Sequence, residues 1–341
     1  HLREINGIVA EENGIYLDED LEEKGENNRI TAQQVAAVVE TIDKKLAEEQ
    51  ENRTLKKKVK EFKKDILPRK EKYEKAFQTF KGRNSYSKTD PDATFMRMKE
   101  DAMLNGQLKP GYNIQMGTEN RYIVGFTIHP NPTDTKTLIP HLKHLEEKLG
   151  ILPENIIADS GYGSEENYEY LEEKELGNYV KYNLFHWEKK KKNRENPYLA
   201  SNLFYDAETD SFVCRNGKLL KHKSRCKYIT EAGYETFRDY YQCEDGSNCP
   251  YAEECKKTPK NRTIQVSHRL NELKRKANEN LCSEKGLQLR SKRVVEVEQT
   301  FGRLKGCWSF RRFYLRGTDK VKIEWGLLSM AHNITKMALE R

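Results

Sequence analysis

Arg290-Ser-Lys-Arg-Val-Val-Glu-Val-Glu-Gln-Thr-Phe-Gly-Arg-Leu-Lys305 is the stretch that decides how this chain is read. Apolar residues recur at Val294, Val297, Phe301, Leu304 and Trp308, a three-four-three-four spacing that predicts one amphipathic α-helix. Glu298 sits beside that stripe, and Lys305 lies two turns further along the same face. A carboxylate on the edge of a buried seam, set among the five cations Arg290, Lys292, Arg293, Arg303 and Lys305, suits a metal ligand facing a phosphate backbone. The plainer reading is a salt-bridged amphipathic helix.

Charge concentrates around this stretch. The 341 residues carry a net charge of +7, and residues 286–322 hold ten Lys or Arg against three acids, which accounts for the whole excess. A basic segment of this kind favours a polyanionic partner. Charged residues make up 34% and hydrophobic residues 36%, polar but foldable because the apolar residues are periodic. The length suits two domains or one elaborated domain. There is no apolar run near about eighteen residues, so no membrane span is expected, and no signal peptide is seen. Seven cysteines without secretory context read as thiols or metal ligands, and the cytoplasm is the default location. The sequence begins at His1 in a polar stretch and reads as an N-terminally truncated chain.

Towards the N-terminus the pattern is helical. Thr31 and Gln34 form a capping box, flanked by Ile30 and Val35 as a hydrophobic staple. Val35, Val38, Ile42, Leu46, Leu55, Val59, Phe62 and Ile66 then mark a helix that Pro68 is expected to break, with Tyr73, Phe77 and Phe80 on the next. This is a helical hairpin or short antiparallel coiled coil, residues 1–81. From Gly82 the pattern changes. Residues 112–116 alternate as a strand, 117–121 read as a turn and 122–129 as the return strand. Leu138, Leu142, Leu145 and Leu149 mark a helix stopped by Gly150; residues 155–159 form a buried strand, 165–176 a helix, and 178–182 another strand. Hairpin, helix, strand, helix, strand implies an α/β fold with a mixed sheet and flanking helices. Residues 82–185 form the first part of that core. Residues 186–280 read as an inserted basic, cysteine-containing, β-rich module, and 281–341 as C-terminal helices completing the core.

Asp159 ends a buried strand and opens the loop Ser160-Gly-Tyr-Gly-Ser164, the place where ligands bind an α/β sheet. If the insertion lets strand and helix meet, Asp159 and Glu298 gather two carboxylates. Their chemical use is to hold Mg²⁺ or Mn²⁺ for attack on a phosphodiester. Asp90 and Asp92, in Asp-Pro-Asp-Ala93, are candidates for a third acid or simply part of a turn.

Asp159-Ser-Gly-Tyr-Gly-Ser, Gly111-Tyr-Asn-Ile-Gln115 and Val297-Glu-Gln-Thr-Phe-Gly-Arg-Leu-Lys305, in that order and spacing, resemble the DDE transposases of bacterial insertion sequences. The closest group has an Asp-Pro-Asp-Ala segment and a cysteine-bearing insertion. The resemblance implies a ribonuclease H-like core with the second acid after the fourth strand, and a catalytic Glu with Lys seven residues on, matched by Glu298 and Lys305. Glu296 lacks that Lys, and Arg293 stands one place off the family's upstream Arg. The first acid is then Asp90, Asp92 or an Asp upstream of this sequence. The implied activity is metal-dependent DNA cleavage and strand transfer with two Mg²⁺ or Mn²⁺ ions, on double-stranded element ends and target DNA, by a homodimer. The rival is a catalytically dead remnant that only binds DNA. Cys214, Cys243, Cys249 and Cys255, with similar cysteines in related insertions, imply a structural Zn²⁺. Contacts to DNA are expected from Lys189, Lys190, Arg293, Arg303, Trp308, Arg311, Arg312 and Arg316, with the aromatics among them serving as stacking platforms or helix core.

Overall fold

A computed structural model of the chain describes residues 59–98, 106–230 and 232–340, with scattered positions between 32 and 57. Contacts divide the chain into two units, His1–Pro91 and Asp92–Arg341. The capping box, the staple and the apolar positions from Val35 to Leu55 lie outside the described residues.

In the first unit a π-turn, Phe62–Ile66, runs directly into helix α1, Leu67–Phe80. Pro68 therefore does not break the helix. The Leu67 N–H bonds Phe62 O across five residues, and the wider turn accommodates a ring that has no N–H to give. Lys81 then ends the helix in the left-handed region at φ 47°, where Arg83 donates to the carbonyls of Thr79, Phe80 and Pro91.

The second unit opens with the antiparallel pair β1 (Thr94–Arg97) and β2 (Leu108–Gly111). The hairpin β3 (Asn113–Glu119) and β4 (Tyr122–His129) follows. Its turn is tighter than the spacing suggested: Asn120 and Arg121 alone turn the chain, both at positive φ. Gly117 belongs to the strand, beside a register shift. Helix α2 (Leu138–Leu149) buries Leu138, His141, Leu142 and Leu145, and Gly150 stops it at φ 73°. Each such leucine contributes about 2 kcal/mol by leaving water. Strand β5 (Asn155–Ala158), helix α3 (Glu165–Glu173) and strand β6 (Gly177–Val180) form one crossover, with β5 and β6 parallel.

The expected single mixed sheet is corrected here. Among the described residues β3–β4 and β5–β6 are two separate two-stranded sheets. The larger sheet lies between Phe204 and Val266. It runs β7 (Phe204–Asp206), β8 (Ser211–Val213), β9 (Leu219–Ile229), β10 (Glu235–Cys243) and β11 (Thr263–Val266), all antiparallel, over Phe212, Leu220, Tyr241, Ile264 and Val266.

Helices α4 (His268–Cys282) and α5 (Glu284–Arg293) return to the parallel pair. Leu273, Ala277 and Leu281 of α4 join Leu142, Leu171, Val180 and Phe185 in one core. From α5 the helical path continues through a π-turn (Val294–Glu298), the short helix α6 (Gln299–Gly302) and a second π-turn (Arg303–Cys307). The last helix, α7 (Thr318–Leu339), packs on β4. Leu304 and Trp325 are fully buried with Ile123 under the hairpin, and Phe301, Trp308, Phe310 and Phe313 lie around them. The helical run thus starts on one strand pair and ends on the other.

Candidate functional site

The uniform α-helical stripe does not survive intact. Leu304 is fully buried, but Val294 is 55% exposed. A π-turn takes in one residue more than an α-turn, so positions before it rotate off the face that the three-four spacing assigned them. The same turn has a chemical result. Its closing bond runs from the Gln299 N–H to Val294 O, and it places Arg293 and Glu298, five residues apart, side by side.

Arg293 links the two acids singled out from the sequence. One nitrogen of its guanidinium, Nη1, donates to Glu298 Oε1 at 2.8 Å, and the other, Nη2, donates to Asp159 Oδ2 at 3.1 Å. Asp159 and Glu298, remote in sequence, therefore converge on two nitrogens of one cation. Two carboxylates aimed at one positive centre form the oxygen-rich donor set that Mg²⁺ or Mn²⁺ takes, so the pair fits such an ion. Among the described residues no three His, Cys, Asp or Glu side chains gather as a metal would hold them.

Asp159 also shapes its loop. Its extended backbone follows β5, and its other oxygen, Oδ1, accepts from the Gly161 N–H at 3.0 Å. One oxygen of Asp159 thus caps the loop while the other faces Arg293. The two loop glycines have a packing reason. A Cβ on Gly163 would stand 2.5 Å from the Lys181 carbonyl, and one on Gly161 would stand 3.1 Å from Asp134 and 3.2 Å from Asp159. Ser164 then caps α3 by accepting from the Asn167 N–H.

Three neighbours were not visible in the sequence reading. Asp134 Oδ1 accepts from Asn113 Nδ2 at 2.7 Å and Gln115 Nε2 at 3.1 Å, which brings a third carboxylate beside the Asp159 loop. Tyr162 donates to Gln115 Oε1; burial, then the charges of Asp134 and Asp159, push its hydroxyl well above the usual range. Lys181 follows β6 as Asp159 follows β5. Burial first, then Arg293 and Arg290, hold its ammonium below the usual lysine range, against the pull of Asp159 and Glu298. Parallel neighbours end side by side, so the residue after β6 was the signal available for Lys181.

The remaining expected residues are dispersed. Glu296 accepts from the Arg121 N–H at the β3–β4 turn and so faces away from Asp159. Lys305 Nζ lies 5.2 Å from the centre of the Phe301 ring. Asp92 Oδ2 accepts from the Thr318 N–H at the start of α7, and Asp90 is buried in the first unit at 9% exposure. Lys189 Nζ sits 2.7 Å from Cys282 Sγ and over the Phe185 ring, while Lys190 precedes a short basic helical turn, Lys191–Arg194. Arg303 lies over the Trp308 ring, whose other neighbours include His332. Phe310 and Phe313 pack on Trp325 as core. Arg311, Arg312 and Arg316 are exposed on a loop that Glu324 fastens through the N–H groups of Tyr314 and Leu315. On the five-stranded sheet, burial pushes the Cys243 thiol up, with smaller upward contributions from Cys214 and Cys249, which therefore lie near it. Cys255 instead accepts from Arg262 at 3.2 Å, so the expected set of four thiolates is not assembled.

Among the described residues no helix is long and apolar enough to cross a membrane. Residues 213–338 match the family described as Transposase DDE domain. The matched stretch contains Glu298 and Lys305 and leaves Asp159 outside it. No curated protein and no solved structure matches the chain.

Proposed function

We propose that the chain, whose residues 213–338 match the family described as Transposase DDE domain, is the transposase of a bacterial insertion sequence, cleaving DNA at the element ends and joining them to a target. The observation that carries this is the meeting of Asp159 and Glu298 on one guanidinium. In the proposal these carboxylates hold Mg²⁺ or Mn²⁺. When bound, such ions activate a water or hydroxyl and stabilise the leaving oxygen of a phosphodiester. Water attacks at the element end and frees a 3′-hydroxyl, which then attacks target DNA in line. Lys305 grips the phosphate next to the scissile bond. Lys189, Lys190, Arg303, Arg311, Arg312 and Arg316 bind the backbone without reading sequence.

A second copy of the chain is the proposed protein partner, so that two ends are held together. Helix α7 supports this. Its inner face is buried through Val321, Trp325 and His332, while Ile323, Leu327, Met330, Ile334 and Met337 are more than half exposed. That exposed row repeats at four-three-four-three, the seam along which helices pair, and it carries no charge.

The test is a labelled linear duplex carrying the element's terminal sequence, incubated with Mg²⁺ or Mn²⁺. Ion-dependent cleavage and a joined product are expected, both lost in Asp159→Asn and Glu298→Gln. The loss should exceed the roughly 10–100-fold typical of an outer-shell substitution. Binding without cleavage in the unsubstituted chain would contradict the enzyme reading and favour a DNA-binding remnant.

A further inference from the structure

Arg293 does for the two carboxylates what a divalent ion would do, and it does so from inside the fold. Its side chain is 17% exposed, against 43% for Asp159 and 55% for Glu298. The cation is thus the buried member of the trio, and the acids are the ones open to an arriving ligand. An uncommon helix geometry produces this. In a regular α-helix, residues five apart point well away from each other; only the π-turn aligns Arg293 with Glu298, and such turns are frequent at functional sites. A further cation is close by: Lys181 feels both Asp159 and Glu298. Withdrawing the guanidinium therefore leaves the acids beside one other positive charge.

Resting on the reading of Asp159 and Glu298 as ligands, the geometry points to Arg293 as a built-in competitor for the divalent ion, released by the phosphate of the DNA. With no ion bound, its fork spans Asp159 Oδ2 and Glu298 Oε1 and keeps them gathered. An ion cannot take both oxygens until the fork leaves. A guanidinium that leaves a carboxylate has the right planar donors for a phosphate oxygen, so arriving DNA draws it away. Ion and DNA then load together, each raising the other's affinity, as linkage requires. Arg293 is accordingly a positioning residue.

The test is Mn²⁺ binding to the full chain, followed by electron paramagnetic resonance, without any reading of catalysis. Arg293→Gln should bind Mn²⁺ about tenfold more tightly than the unsubstituted chain when DNA is absent, and should lose the gain that a short duplex confers. Arg293→Lys keeps the charge but cannot span both acids, so it should fall between them. Lys292→Gln removes a neighbouring exposed charge and should leave the affinity within about twofold. Circular dichroism confirms that each variant is folded. Equal Mn²⁺ affinity in the unsubstituted chain and Arg293→Gln, with binding still abolished by Asp159→Asn, would overturn the competitor while leaving the ligands standing. An equal rise in Lys292→Gln would overturn it too, because net charge would then explain the effect. Binding in Arg293→Gln that survives Asp159→Asn would overturn the ligand reading and the competitor with it.

Discussion

Glu296 and Glu298 are two residues apart, both acidic, and both on the helical run, yet they serve different ends of the fold. Glu298 meets Arg293 and, through it, Asp159. Glu296 holds the N–H of Arg121, a non-glycine residue kept at φ 63° in the β3–β4 turn. Glu296→Gln should therefore leave DNA cleavage within about twofold and lower the stability by about 1 kcal/mol, the difference between a hydrogen bond to a charged acceptor and one to a neutral amide. Cleavage assays and urea unfolding of the same preparation check both halves; loss of cleavage with unchanged stability would reverse the two assignments. Glu298 was legible as the candidate through the family resemblance, because Lys305 stands seven residues after it and no lysine stands seven after Glu296. Arg293 as the link was not. Its five-residue spacing from Glu298 is wrong for an α-helix, and nothing in a residue string marks where a helix widens into a π-turn.

At the scale of elements, α2 and β4 meet at a polar spot inside an otherwise apolar contact. His141 is 7% exposed, and its Nδ1 lies 2.9 Å from Thr127 Oγ1. Burial, with smaller contributions from His129 and His144, pushes the His141 imidazole down to about 4. The folded chain keeps this ring neutral where the unfolded chain would protonate it near the usual value of 6.5. The unfolded state then binds more protons between those two values. Stability is therefore full above pH 6.5 and falls as the pH drops towards 4, by at most about 3 kcal/mol from this group. Melting temperatures across that window should fall on acidification, and His141→Gln should flatten the slope; an unchanged slope would assign the pH dependence elsewhere. Elements of this size were well read from the sequence. The helix stop at Gly150, the helix start after Ser164 and the strand before Asp159 rest on local backbone chemistry. The helix across Pro68 and the two-residue turn at Asn120–Arg121 were missed, because a π-turn and a pair of left-handed residues override the usual meaning of Pro and Gly.

For the whole molecule, the site depends on a long detour. The chain leaves the parallel pair after β6, builds the five-stranded antiparallel sheet from Phe204 to Val266, and returns through α4 and α5 before Glu298 reaches Asp159. That a β-rich stretch lies between the two acids was readable from the change in pattern after about residue 185. How the strand pairs assemble was not. Pairing between strands remote in sequence is set by tertiary contacts that leave no periodic trace, and the expected single mixed sheet is two separate pairs among the described residues. The account stands on the convergence of Asp159 and Glu298, and iron(II) in place of Mg²⁺ tests that directly. With ascorbate and peroxide, a bound iron(II) ion cuts the polypeptide beside its own ligands. In the presence of a linear DNA end, the chain should be cut near residue 159 and near residue 298 together, with both cuts suppressed by excess Mg²⁺ and both lost in Asp159→Asn. A cut at one place alone, or cutting near 298 that persists without the Asp159 carboxylate, would contradict the shared site.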